Sequence, residues 1–108
     1  MIKVSVIESI KNLIQDNKLV LLYIYSRQCS VCHALLPKIK FLLKKYPEIK
    51  LKVISIDDCT EVAGEFSIFT VPTVMLYING KEYIRRARFI SIEELDKSIE
   101  RYYKIMFG

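Results

Sequence analysis

No stretch of this sequence approaches the ~18 consecutive apolar residues that a membrane-spanning helix needs. The first residues turn polar at Lys3, Ser5 and Glu8, which is not the pattern of a secretory leader. The expectation is a cytoplasmic protein without a membrane partner. Cysteine is scarce as well. Cys29, Cys32 and Cys59 are too few, and odd in number, for a structural disulfide framework. In a reducing compartment such cysteines point to thiol chemistry or to metal. Histidine is nearly missing: the one His33 and the three cysteines are all the soft ligands available. Structural zinc wants four of them, and helical spacing turns His33 away from Cys32, so one chain does not easily close a zinc site.

Acid is the other shortage, and it is local. From Arg27 to Lys52 there are seven basic residues and one acid, Glu48, within a chain of net charge +5. The lysines lack interleaved aromatics or a nucleic-acid motif, so a solvated helix face is expected there, with no nucleic acid bound. That charge would tune the choice of partner. Linkers, repeats and low-complexity segments are also missing. With 52% hydrophobic and 27% charged residues, the expectation is one folded domain spanning 1–108.

What is present reads as an alternation of strands and helices. Ile2 to Val4 suits a short strand. Ser5 and Glu8 then make a capping box ahead of Ile7, Ile10 and Ile14, a helical stripe ending near Asp16-Asn17. Leu19 to Tyr25 is a near-continuous apolar run of strand length, which suggests a central strand buried on both faces. A second helix is expected from about Ser30 to Lys45, halted by Tyr46-Pro47. Its inner face would hold Val31, Cys32, Leu35, Leu36, Ile39, Leu42 and Leu43, with His33, Lys40 and Lys44 elsewhere. Leu51 to Ile56 follows as a strand, completing a βαβ unit and an α/β core. Thr60 to Glu65 suits a short helix that Gly64 weakens. Asn79-Gly80 between Thr73–Ile78 and Glu82–Arg86 signals an antiparallel hairpin. Ser91 with Glu94 caps a last helix whose stripe is Ile92, Leu95, Ile99, Tyr102 and Met106.

The chemistry is concentrated in Cys29-Ser30-Val31-Cys32, where the buried strand hands over to the second helix. Two thiols three residues apart at a helix start lie within disulfide reach, and the unpaired backbone N–H groups there favour a thiolate. Cys29, on the first turn and open to solvent, is the attacking sulfur by this reasoning, and Cys32 points inward. Arg27 is a candidate for lowering the Cys29 pKa, against a plainly solvated loop side chain. Cys29 to His33 also spells CxxCH, the string for covalent haem, although such attachment normally implies export.

Cys29-Ser30-Val31-Cys32 after a buried strand, Pro37 beyond it, Thr70-Val71-Pro72-Thr73 and Asn79-Gly80 together resemble the thioredoxin family over almost the whole chain. The resemblance implies a thioredoxin-like α/β fold, a mixed central β-sheet flanked by helices. It implies a nucleophilic Cys29, a resolving Cys32, and a cis Val71–Pro72 peptide that faces the sulfurs and offers the Val71 backbone to an extended substrate. The activity implied is that of a thiol-disulfide oxidoreductase, a protein-disulfide reductase with no cofactor and no metal. Its partners would be protein disulfide substrates and a thioredoxin-reductase-like electron donor.

Several positions depart from that pattern. Tyr23 stands where the family usually buries an acid, and Val53 where it places a lysine. A phenol with an ordinary pKa near ~10 is a poor base for Cys32 at neutral pH. Gln28 replaces a tryptophan, and Ser30-Val31 replaces a common Gly-Pro. Cys59, in a segment similar to that of animal thioredoxins, has Phe66 where those proteins hold a further cysteine, so it reads as a buried apolar residue or an intermolecular thiol. A redox-silent or metal-binding interaction protein built on the same fold is the competing reading.

Overall fold

The computed structural model describes the backbone of residues 2–108 and the side chains from Val6 onward. Strand β1 (Leu19–Tyr25) is the element the others are built around, and from Leu19 to Ile24 every residue is buried. The sheet order is β2-β1-β3-β4, where β2 is Lys50–Ser55, β3 is Thr73–Ile78 and β4 is Lys81–Ala87. β2 runs parallel to β1, while β3 and β4 are antiparallel to their neighbours. The architecture is therefore the mixed α/β sheet expected. β2, at one edge, carries Lys50 and Lys52 exposed, and such charges discourage pairing with another chain.

Helices cover both faces. Alternate residues of β1 point to opposite sides, so each side receives its own apolar set. Leu19, Leu21 and Tyr23 pack with Leu35, Ile39 and Leu42 of α2 (Ser30–Leu42) and with Leu95 and Ile99 of α4 (Ile92–Phe107). Val20, Leu22 and Ile24 pack with Ile10 and Ile14 of α1 (Ile2–Asp16) and Val62 of α3 (Glu61–Glu65). This is why the Leu19–Tyr25 run shows no polar alternation. The Asn79-Gly80 turn has positive φ at both residues, 50° and 84°, as a tight hairpin of type I′ requires.

Two expectations are corrected. Ile2–Val4 is not a strand but the first turn of α1, and Ser5 has helical backbone rather than a cap conformation. β-branched residues favour strands only weakly, and helical continuity into Val6–Asp16 overrides them. The Ser5 side chain, and with it the capping box, lies outside the described side chains. Val31, expected on the inner face of α2, is 59% exposed. It shares the first turn of α2 with Cys32, and the turn that buries Cys32 leaves Val31 facing solvent. Farther along, α2 tightens into a 3-10 turn at Leu43–Lys45 before Pro47.

Candidate active site

β1 and β2 end at one edge of the sheet, with Tyr25 beside Ser55. There the chain turns through Ser26–Gln28, with the Cys29 N–H donating to the Ser26 carbonyl at 3.1 Å. Cys29 is the N-cap of α2, in extended conformation, and its Sγ accepts the Cys32 N–H at 3.1 Å. The two cysteines are joined in a disulfide across a Cα separation of 5.2 Å. Cys29 is partly exposed, whereas Cys32, one turn along, is 1% exposed. The helix start thus presents one sulfur and buries the other.

Beneath Cys32 lies Tyr23. Its buried hydroxyl donates to the Cys32 carbonyl at 2.7 Å, and burial pushes its pKa up to about 12. Val53 is its neighbour across the β1–β2 ladder. The two positions where the resembled family keeps an acid and a lysine therefore hold a neutral phenol and an alkyl chain. Tyr23 can hold the turn that carries Cys32, but it offers no carboxylate to take a proton.

Arg27 is engaged with the loop after β2. Its N–H donates to Asp57 Oδ2 at 2.7 Å, and its guanidinium pairs with Asp58. The Asp57 carboxyl is held below its ordinary range, first by that Arg27 N–H and then by Ser55 and the Arg27 charge, against partial desolvation. Asp58 offsets the guanidinium charge, which weakens the field Arg27 can direct at Cys29. The Arg27 carbonyl lies 2.8 Å from His33 Nε2. A carbonyl can only accept, so this nitrogen carries a proton. The exposed imidazole also meets the Tyr25 ring edge-on at 5.7 Å. The sequence pointed to Arg27 but not to Asp57 and Asp58. The usable signal was that they directly follow β2, the strand parallel to β1.

Val71–Pro72 is a cis peptide. Thr73 pairs with Ile24, so Pro72 sits at the level of Tyr25, at the same edge of the sheet from which the chain enters the CxxC turn. The Arg88 N–H donates to the Pro72 carbonyl at 2.9 Å, tying the segment after β4 to this loop. Arg88 holds a left-handed φ of 71°, and Phe89 beside it is 92% exposed. With Val31, Leu35 and Ile90, Phe89 lines a cavity of about 420 Å³. In the loop ahead of Pro72, Phe69 is 94% exposed. Neither phenylalanine stood out in the sequence, since an isolated aromatic in a loop has no periodicity to mark it. Cys59 is elsewhere, buried in the layer under α1 and α3. Among the described residues, no three of His, Cys, Asp and Glu are grouped so as to hold a metal ion.

Three kinds of likeness bear on this geometry. The family model for thioredoxin matches residues 2–101. The chain is 45% identical over 100 residues to the thioredoxin-like protein YdfQ of Bacillus subtilis, covering 93% of this chain and 89% of that one. Among solved structures, thioredoxin 1 of Thermosipho africanus superposes with a TM-score of 0.75 at 36% identity, over 82% of this chain and 99% of that one. A thioredoxin-like protein of Bacillus cereus superposes with a TM-score of 0.68 at 34% identity, over 86% and 98% of the two chains.

Proposed function

Because this chain belongs to the thioredoxin family and carries a CxxC dithiol at Cys29 and Cys32, it is a thiol-disulfide oxidoreductase, and we propose that it works as a cytoplasmic protein-disulfide reductase. The observation that carries the reading is the division of labour at the start of α2, where Cys29 is reachable and Cys32 is buried one turn away.

In the proposed cycle the Cys29 thiolate attacks one sulfur of a substrate disulfide. A Cys29–substrate disulfide forms, and the other substrate sulfur leaves as a thiolate that takes up a proton. Cys32, once deprotonated, attacks the Cys29 sulfur, expels the second substrate thiol and closes the Cys29–Cys32 disulfide. Two electrons pass from the protein dithiol to the substrate. A dithiol electron donor of the thioredoxin-reductase kind returns them. The Cys32 N–H, which points at Cys29 Sγ from 3.1 Å at the start of α2, is placed to stabilise a thiolate there. The Val71 backbone, at the cis peptide beside the turn, takes up the extended substrate strand, and Pro72 shapes that loop.

Direction is tested by a glutathione redox titration of the Cys29–Cys32 pair. A reductase is expected to fall near the ~−270 mV of reducing thioredoxins; a potential near the ~−120 mV of strong oxidants would overturn the reading.

A further inference from the structure

The basic face of α2 plays no part in the cycle above, yet it borders a groove of about 670 Å³ between α2 and the segment leading into α4. Leu35, Leu42, Ile90 and Ile92 line the groove, together with Phe41, which is 71% exposed. Leu35 and Ile90 also line the smaller cavity beside Val31. One apolar trough therefore leads from the CxxC turn along α2.

The charge on that rim is mostly of one sign. Lys38 and Lys45 flank the groove, and Arg88 flanks the end near the disulfide. From Ser30 to Lys45 there are four lysines and no acid. Asp96, the acid on the groove, is already taken by Lys45 and by the Tyr46 hydroxyl. Among the described residues no carboxylate forms a salt bridge with Lys38 or Arg88.

We propose that this trough docks an acidic amphipathic segment of the disulfide-bearing partner protein. The segment's apolar side chains would rest on Leu35, Phe41 and Ile90. Its carboxylates would meet Lys38 and Arg88, and its sulfur would be delivered to Cys29. Two features argue for this occupant: the charge of the rim and the continuity of the trough with the disulfide turn. The inference rests on the oxidoreductase reading, in which Cys29 attacks.

The test uses two synthetic peptides with the same apolar stripe, one flanked by glutamates and the other by lysines. Each carries a terminal cysteine as a mixed disulfide with 2-thiopyridine. When the reduced protein is added, Cys29 bonds to the peptide sulfur and 2-thiopyridone leaves. Cys32 then expels the peptide thiol as the protein disulfide closes. Rates of thiopyridone release are divided by each protein's own rate with 2,2′-dithiodipyridine, a small disulfide that needs no docking. The glutamate peptide should react about tenfold faster than the lysine peptide at low salt, and the ratio should fall as salt screens the charges. Lys38→Glu should shrink or reverse that ratio, and Phe41→Ser should lower the normalised rates of both peptides. Equal rates for the two peptides, or a ratio unmoved by Lys38→Glu, would overturn the docking proposal while leaving the oxidoreductase reading intact. Failure to reduce 2,2′-dithiodipyridine at all would remove that reading and the docking proposal with it.

Discussion

Tyr23 shows what a single side chain decides here. A carboxylate under a buried cysteine could accept its proton, but a phenol that ionises near pH 12 stays neutral through the working range and acts as a donor to the Cys32 carbonyl. Tyr23→Phe is therefore expected to leave the pH profile of mixed-disulfide resolution unchanged between roughly pH 6 and 9, where a phenol does not titrate. It should lower stability by about 0.5–1.5 kcal/mol, the net value of one hydrogen bond, read from urea unfolding. Single-turnover kinetics across that pH range provide the check, and a moved apparent pKa would mean that the phenol does carry the proton. That Tyr23 stands where the thioredoxin family usually keeps an acid was legible only through the resemblance to that family. Its bond to Cys32, between residues 9 apart, depends on how α2 lies over β1.

At the scale of an element, the start of α4 joins a local signal to a tertiary one. Ser91 caps the helix by accepting the Glu94 N–H at 3.2 Å, as the capping pattern foretold. The Glu94 carboxylate, however, is held by Arg86 of β4 through two hydrogen bonds of 2.8 Å and by the Ser98 hydroxyl. First Arg86 and then Ser98 bring its pKa down to about 2. A carboxyl whose folded pKa lies below its unfolded value of about 4.3 adds stability above that value and loses it as pH falls through the folded pKa. Wild type should therefore unfold at higher urea than Glu94→Gln near neutrality, and the gap should close as pH drops from about 4.3 toward 2. A gap of constant size would show that the ion pair contributes nothing. The other end of the chain illustrates the opposite case, since no cap in the sequence announced that α1 begins at Ile2.

Across the whole molecule, β1 separates two apolar layers, and the disulfide sits at the end of the sheet rather than in either layer. Cys59 lies in the layer of α1 and α3. Cys32→Ser should keep the first attack and lose the second, and so accumulate covalent complexes with target proteins that dithiothreitol dissolves. Cys29→Ser should capture little, because Cys32 is 1% exposed. Cys59→Ala, added to Cys32→Ser, should leave the trapped set unchanged. Non-reducing electrophoresis of the variants in cell extract reads all three. Equal trapping by the two active-site variants, or trapping that needs Cys59, would remove the assigned roles.

The chain by itself determined whatever rests on neighbours in sequence. The apolar strand run of Leu19–Tyr25, the CxxC at a helix start, the Asn79-Gly80 turn and the Ser91 cap are each set by periodicity or by a bond within a few residues. Tertiary structure decided what depends on distant segments meeting. It left Val31 facing solvent, gave the Arg27 charge to Asp58, tied Arg88 to Pro72, and aligned Leu35, Phe41 and Ile90 into one trough flanked by Lys38 and Lys45. Such contacts form only when β1, α2 and the segment before α4 reach their places together, and no local pattern in the sequence records that meeting.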